Sequence, residues 1–424
     1  MFFLSFYLLS GNLNTLLIFK IPGVSFFEIQ PVRFIYLMLL FLIIRKTWYS
    51  IGKSKASFDR KVAWFEIALF GYVFFLSLSA LVNIAVNEAL KTILDAVAFI
   101  IIMFGLRKIE DQPSYNIIGK SMIITGVFTS IISLIQLVNN PYFMRIGDNR
   151  RAFGSLIRSN GIFSAEYLNS YYLIIAIVWV LTTIKNKMLR IGLVVLFSVG
   201  VATSFMRMSW LLLILILLVY FIVVNRTAIE KLLFAAGTCI AVILVIFTIY
   251  SNDIMKSSLV QDRLNDSVDY RKGYYTMVLD NIHKRPFLGF GDLKNEVYYE
   301  NLLLITKDRD RATAASGSLH SGYFSSLFRY GIPALLCFTL FTTLSVKYYS
   351  TFFGKNLYYM IPFAVSVIFM IGNMTNSFLF ISYLSVLYAI HIGIGMGTKE
   401  IDEQSLIYTK SKTEVLSARP NESL

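Results

Sequence analysis

The sequence predicts an all-α, polytopic integral membrane protein with about 12 transmembrane helices and one large external loop. Hydrophobic residues make up 56% of the 424 residues and charged residues only 15%, which leaves too little polar surface for a soluble chain. Several continuous apolar runs reach the roughly 20 residues that cross about 30 Å of hydrocarbon. A membrane β-barrel would instead show short alternating segments, so these runs predict helices.

Hydropathy and charge together predict the spans and their direction. The connector between the second and third spans is the most basic short loop, so it is expected in the cytoplasm. Alternation from there puts both chain termini in the cytoplasm. The predicted spans lie near 3–19, 34–50, 62–83, 92–106, 117–138, 166–184, 191–205, 209–224, 232–250, 323–345, 357–373 and 377–396.

The spans divide the chain into a membrane domain and a tail. Residues 1–398 form the predicted membrane domain, and the polar residues 399–424 form a cytoplasmic tail. Two long segments face the external side, at 139–165 and at 251–322, and the second is much the larger. No internal repeat is visible, so the sequence gives no support to a pseudo-symmetric transporter.

Arginine and lysine are distributed differently between the two predicted sides. The external side holds twelve of the eighteen arginines but only seven of the twenty-one lysines. Insertion bias draws both residue types to the cytoplasm, so it does not produce this difference. Arginine offers a planar fork that matches phosphate oxygens, and the arginines as a group therefore predict an anionic ligand. Part of the net charge of +14 reflects insertion bias, so no nucleic-acid partner is expected.

Three arginines stand out individually. Arg207 lies between two apolar runs with almost no loop joining them, where an ionisable group is costly without a partner; snorkelling to lipid headgroups is the alternative. Arg271 falls within the apolar stripe of an amphipathic helix predicted at 262–283, with a loop-stitching salt bridge as the alternative. Arg158 precedes the sixth span, where the turn 159–161 ("SNG") is expected to present backbone N–H groups to an anion.

His320 is the candidate general base. It follows the largest external loop, and an unperturbed pKa near 6.5 lets imidazole accept a proton from a hydroxyl. His283 competes, but it lies beside two basic residues and off the apolar stripe. Asp308 and Asp310 form an Asp-x-Asp pair, but three flanking basic residues favour a solvated ion-pair cluster over a metal site. No metal site is therefore predicted.

Four stretches resemble the O-antigen polymerase/ligase superfamily, which contains Wzy-type polymerases and lipopolysaccharide-ligase relatives. They are "RSNGIFSAEYLNSYYL", "SFMRMSWLLLILILL", "YRKGYYTMVLDNIHKRPFLGFGD" and "LHSGYFSSLFRYGIPALL". The overall plan, with about a dozen helices and a large late loop, is also similar. Two departures are the His320-Ser321 pair, where the family often has His-Asn, and Met206-Arg207-Met208, where it often has Ser-Arg-Gly.

The resemblance implies an inverting, metal-independent glycosyltransferase that uses no cofactor. Its substrate would be an undecaprenyl-diphosphate-linked oligosaccharide, polymerised into O-antigen, capsular polysaccharide or exopolysaccharide at the outer face of a bacterial cytoplasmic membrane. His320 would be the base, and Arg158, Arg207 and Arg271 would clamp the diphosphate. Arg151 and Arg285 are further candidate substrate-binding residues. Membrane lipids, a chain-length regulator and a flippase are candidate partners.

Two rivals remain at this point. A ligase would transfer the glycan to lipid A core, and the residues above do not separate it from a polymerase. A transporter or flippase of lipid-linked oligosaccharide is the alternative from another class. A transporter should show mid-membrane charges or broken helices with alternating-access symmetry, and the sequence shows few charges within its spans.

Overall fold

The computed structural model describes ten parts of the chain. They are residues 19–20, 28–29, 63–107, 112–145, 151–153, 156–224, 273–291, 321–352, 357–376 and 384–396. The described parts are almost entirely helical, and the strands among them form two short antiparallel ribbons. These strands are β1 (Phe19–Lys20) with β2 (Glu28–Ile29), and β3 (Arg151–Phe153) with β4 (Leu156–Ile157). The all-α prediction is therefore correct for the body of the fold.

The described helices follow the predicted spans closely. A 3-10 turn at Leu357–Tyr359 leads into the ninth of them. In chain order they are α1 (Trp64–Asn83), α2 (Val86–Leu106), α3 (Gln112–Val138), α4 (Glu166–Thr183), α5 (Lys187–Ala202), α6 (Arg207–Val224), α7 (273–282), α8 (Gly322–Ser350), α9 (Met360–Thr375) and α10 (Leu384–Met396).

Five described helical segments are long and apolar enough to cross a membrane. Helices α4, α5, α6 and α10 coincide with predicted spans but are shorter or less apolar. The spans predicted at 34–50 and 232–250 lie outside the described residues, as do residues 3–18 of the first predicted span and the tail 399–424, so the number of about 12 stays a prediction. The five segments are Trp64–Asn83, Val86–Leu106, Asn116–Val138, Gly322–Ser350 and Leu357–Thr375.

Helix α4 lies at the centre of the bundle. It contacts α3, α5, α6 and α9, and its side chains from Leu168 to Leu181 are buried on every face. A helix that is apolar all round is typical of such a central position. Trp179 near its far end donates a 2.9 Å hydrogen bond to Nε2 of His391 on α10, whose Nδ1 lies 2.6 Å from the Leu387 carbonyl oxygen. His391 is therefore a buried packing residue with both ring nitrogens in contact with polar partners.

Contacts between helix ends agree with the predicted alternation of the chain. At the end predicted to be external, Asn83 of α1 contacts Leu288 in the large loop, and Ser321 contacts Asn373 of α9. At the opposite end, the carboxylate of Glu66 on α1 lies 3.2 Å from the guanidinium of Arg107 after α2. Residues predicted to lie on the same side of the membrane thus lie at the same end of the bundle. The end that contains Asn83 and Ser321 is called the basic end below.

Helix α8 is broken near its start, where the sequence predicted one continuous span over 323–345. Gly331 adopts φ +86° and ψ −178°, a conformation that favours glycine, and Pro333 follows it without a backbone N–H. The first part, 322–330, reaches from the end of α9 towards α1, where the Tyr72 and Ser326 hydroxyls lie 3.0 Å apart. The second part continues as a long helix packed against α1 and α9.

The backbone groups freed by this break are satisfied by the large loop. The carbonyl oxygens of Phe328 and Arg329 accept hydrogen bonds of 2.8 Å from the N–H groups of Phe290 and Gly291. The N–H of Ile332 donates to Pro286 at 2.8 Å. Unpaired backbone groups are costly in a membrane protein, so the segment 286–291 completes α8. The sequence stretches "PFLGFGD" and "SLFRYGIP" are therefore partners in one structural unit.

Candidate functional site at the basic end

Arg158 lies in a small charged cluster beside the start of α4. Its Nη1 is 3.3 Å from Oε1 of Glu166, which is almost fully buried in the first turn of α4. Arg145 donates through Nη2 to the Arg158 carbonyl oxygen at 2.7 Å and through Nη1 to the Pro141 carbonyl oxygen at 3.0 Å. Arg158 thus pairs with the carboxylate, and Arg145 is bound to the backbone beside it. Arg145 and Glu166 were not singled out by sequence reasoning.

Burial makes the charged form of the Arg145 side chain less favourable. It lowers the pKa of the guanidinium from its ordinary value, and the nearby Glu166 carboxylate opposes that shift. The Arg145 Nε atom is buried, and no described residue accepts a hydrogen bond from it. Neutral carbonyl oxygens are the hydrogen-bond partners of this cation, and an additional anion beside it would therefore be electrostatically favourable.

The turn 159–161 does not present its N–H groups to an anion, so that expectation from the sequence was wrong. Gln136 of α3 accepts hydrogen bonds of 3.0 Å from the N–H groups of Asn160 and Gly161 through one side-chain oxygen. The next N–H, of Ile162, donates to the Thr129 hydroxyl at 3.2 Å. Buried side chains of α3 already satisfy these donors, and this turn anchors the loop instead.

The turn after Arg158 and the turn before Arg207 are in backbone contact. The N–H of Ser159 donates to the carbonyl oxygen of Thr203 at 3.1 Å. Thr203 begins the four-residue connection between α5 and α6, and Arg207 is the first residue of α6. The tight turn predicted before Arg207 is therefore present, and its external side stays a prediction. Each arginine lies within four residues of this shared contact.

The start of α6 is held firmly against α4. The Ser209 hydroxyl donates to the Ser170 hydroxyl at 2.8 Å, and Ser170 in turn donates to the Glu166 carbonyl oxygen at 2.9 Å. Both serines are fully buried. Arg207 itself is exposed, and no described residue forms a hydrogen bond or ion pair with its guanidinium. The first turn of α6 is thus fixed against α4, and the guanidinium of Arg207 is accessible to a ligand.

Helix α7 lies within the predicted large loop and packs against the start of α8. The ring of Tyr275 stacks on Phe324 with centroids 4.2 Å apart. The helix ends at residue 282, one residue before the predicted end. The apolar stripe expected from i, i+4 and i+7 spacing consists of Leu264, Val268, Tyr275, Val278 and Ile282, but of its described members only Val278 is fully buried. The fully or nearly fully buried residues of α7 are Tyr274, Met277, Val278 and Asn281. Arg271, Leu264 and Val268 lie outside the described residues.

Arg285 is engaged with the protein while its side chain remains exposed. Its Nη1 donates to the Asn83 side-chain oxygen at 2.8 Å, and its guanidinium carbon lies 5.6 Å from the Phe290 ring centroid. Asn83 also donates to the Leu288 carbonyl oxygen at 3.1 Å. Arg285 thereby fixes the loop to α1. Arg151 lies in β3, and the description of that strand is limited to its backbone.

His320 lies outside the described residues, but its neighbour Ser321 is the N-cap of α8. The Ser321 hydroxyl accepts a 3.4 Å hydrogen bond from the Phe324 N–H and donates at 3.3 Å to the Asn373 carbonyl oxygen. Serine and asparagine are about equally strong N-cap residues. The departure from the family's His-Asn pattern is therefore conservative at this position.

Substitution of Ser321 tests the capping role. We expect Ser321→Asn to leave the protein close to the wild type in stability, because asparagine caps equally well. Ser321→Ala should lose the cap and about 1 kcal/mol of stability. Thermal unfolding of the purified chain in detergent measures both variants. Equal unfolding temperatures for the alanine and asparagine variants would contradict the capping role.

Among the residues that the structure describes, no three His, Cys, Asp or Glu side chains are grouped to hold a metal ion. Asp308 and Asp310 lie outside those residues. His283 is exposed in the turn after α7.

These features define a multi-pass helical membrane protein. At one end of its bundle lie several arginine side chains and the break in α8, whose backbone groups are paired by residues 286–291. A family model described as O-antigen ligase matches residues 191–339, about a third of the chain, from α5 into α8. This match confirms the resemblance to the O-antigen polymerase/ligase superfamily and supports a membrane enzyme of O-antigen or polysaccharide assembly. A comparison with curated proteins finds no match.

Proposed function

We propose that this protein polymerises undecaprenyl-diphosphate-linked oligosaccharide repeat units on the outer face of the bacterial cytoplasmic membrane. The observation that carries the proposal is the exposed Arg207 at the start of α6, free of partners among the described residues and beside the Arg145–Arg158–Glu166 cluster. A helix N-terminus and an arginine fork both favour an anion. The family match supplies the class of reaction.

The proposed reaction requires one proton transfer and one leaving group. His320 takes the proton from an acceptor sugar hydroxyl, and the resulting oxygen attacks the anomeric carbon of the donor with inversion. The bond between that carbon and the phosphate oxygen breaks, and undecaprenyl diphosphate departs with the electron pair. Arg158, Arg207 and Arg271 neutralise the charge that develops on the diphosphate, a type of stabilisation worth about 3 kcal/mol per well-placed donor.

The lipid part of the substrate suits the remaining surface. Large apolar side chains are exposed along the bundle, among them Phe70, Phe74 and Leu81 of α1, as expected for helices that face lipid. The polyprenyl chain can lie along such a surface while its sugars stay at the basic end. Arg151 and Arg285 remain candidate contacts for the glycan or diphosphate.

Transfer to lipid A core is the second candidate, because the matched family model is described as O-antigen ligase. A strain lacking this protein distinguishes the two. A polymerase deletion leaves a single repeat unit attached at the cell surface, whereas a ligase deletion accumulates free lipid-linked polymer. Unchanged surface glycan would contradict both, and loss of all external lipid-linked oligosaccharide would indicate a flippase.

The same proposal predicts that activity is independent of added metal. Diphosphate is already a good leaving group, and the arginines supply positive charge where a metal otherwise would. We expect polymer synthesis by the purified full chain to continue at the same rate in EDTA. Loss of activity that returns with Mg²⁺ would contradict this and would make Asp308 and Asp310 candidate ligands.

A further inference from the structure

The start of α8 and the end of α9 meet in an unusually close contact. A Cβ atom built on Gly322 would collide with Oδ1 of Asn373 and would lie 2.8 Å from its Cγ. Such distances are not tolerated without movement, and both Gly322 and Asn373 are buried. The Asn373 side chain therefore occupies the space that a side chain at position 322 would need.

Further bonds hold the same two helix ends together. The N–H of Gly322 donates to the Asn376 carbonyl oxygen at 3.1 Å, and the Ser321 hydroxyl donates to the Asn373 carbonyl oxygen at 3.3 Å. The Asn373 side chain is itself oriented by a 2.8 Å hydrogen bond from its Nδ2 to the Phe369 carbonyl oxygen. The position of Ser321 is thus set by backbone and side-chain contacts that do not involve the arginines.

We propose that Gly322 and Asn373 are a size-matched pair of positioning residues for the transfer reaction. The inference rests on the proposed function, in which His320 is the base. His320 precedes Ser321 in the chain, so a contact that fixes Ser321 and Gly322 fixes the point from which the histidine extends. Neither member of the pair needs to touch the substrate. Their effect is to keep the imidazole within reach of the acceptor hydroxyl.

Substitutions that exchange volume between the two positions test this pairing. Gly322→Ala should lower kcat about 100-fold, since a displacement of about 1 Å in a catalytic group costs that much. The KM for the lipid-linked donor should change little, because the arginines that bind the diphosphate lie on other elements. Asn373→Ala, which loosens the contact, should lower kcat by about tenfold with the same unchanged KM.

The double variant Gly322→Ala/Asn373→Ala is the decisive measurement. Removal of the amide makes room for the new methyl group, since the remaining Cβ of Asn373 would lie 3.1 Å from it. We expect kcat to recover at least about tenfold relative to Gly322→Ala alone, as coupled neighbours do. A purely destabilising change at either site would make the double variant worse.

Gly192 provides the matched control for the glycine substitution. It lies within α5, and a Cβ added there meets nothing within 4 Å. Gly192→Ala should therefore keep wild-type kcat, and its helix should if anything gain stability. If Gly322→Ala does not accumulate in the membrane, Asn373→Ala alone decides: a lowered kcat at unchanged KM supports the pair, and an unchanged kcat overturns it.

The outcomes separate this inference from the function on which it rests. An inactive His320→Ala variant beside a fully active Gly322→Ala variant would overturn the positioning pair and leave the base in place. Failure of the double variant to improve on Gly322→Ala would overturn the pair as well. Full activity of His320→Ala would overturn the proposed function itself.

Discussion

Replacement of His320 by alanine is expected to abolish polymer formation while the protein still inserts into the membrane. A general base contributes about 10²- to 10⁴-fold to a rate, and polymerisation repeats the transfer many times, so even the smaller loss removes long chains. The measurement is the glycan length distribution from the purified full chain and a lipid-linked repeat unit. Full-length polymer from this variant would remove the assignment of His320 as the base.

His283→Ala is the matched control for that substitution. His283 is an exposed histidine in the turn after α7, and the two variants remove the same type of side chain. We expect His283→Ala to retain wild-type polymer length. A loss at His283 with normal activity at His320 would transfer the role of base to the first residue.

The pH dependence of the reaction provides a second test of the base. An imidazole accepts a proton only in its neutral form, so the rate should fall as the pH drops below the pKa, near 6.5 for an unperturbed histidine. This acidic limb should be present in the wild type and absent from the residual activity of His320→Ala. A limb of the same shape in both proteins would contradict the assignment.

Arg207→Lys is expected to lower kcat about 100-fold although it preserves the charge. Lysine is a point charge and cannot engage two phosphate oxygens as the planar fork of arginine does, and loss of one transition-state donor costs about this much. Because Ser209 and Ser170 hold the start of α6, the backbone should stay in place. Initial rates at saturating donor measure the effect.

Arg190→Lys is the control for this conservative change. Arg190 lies in α5 at the opposite end of the bundle, so its replacement should leave the rate unchanged. Near-normal activity of Arg207→Lys would instead assign Arg207 to anchoring in the lipid headgroups, since lysine snorkels to the interface as readily as arginine.

The sequence predicted the bundle well because long apolar runs leave few alternatives. The ends of α1, α3, α4 and α9 lie within a few residues of the predicted spans, since a span of about 20 residues is imposed by the thickness of the bilayer. The grouping of helix ends followed from alternation alone. The break in α8 was missed because hydropathy does not register backbone direction, although Gly331 and Pro333 were a visible signal.

The candidate site was harder to predict from the sequence because its contacts join residues that are far apart along the chain. Gln136 satisfies the turn before α4 from the end of α3, and Asn373 fills the space beside Gly322. Nothing in the spacing of these residues indicates such pairs. The weak signal was the residue type itself, because a buried Gln or Asn within an apolar run must find a partner.

The repair of α8 by residues 286–291 has a consequence for biogenesis. Both this segment and α1, which supplies Ser79 and Asn83 to it, are translated before α8. The donors and acceptors that close the gap in α8 are therefore already made when that helix enters the bilayer. In a variant whose segment 286–291 cannot dock, the backbone C=O and N–H groups at the break in α8 would remain without hydrogen-bond partners in the membrane. We expect the membrane proteases of the cell to degrade such a variant, so that it is lost through low abundance and not through a slower reaction.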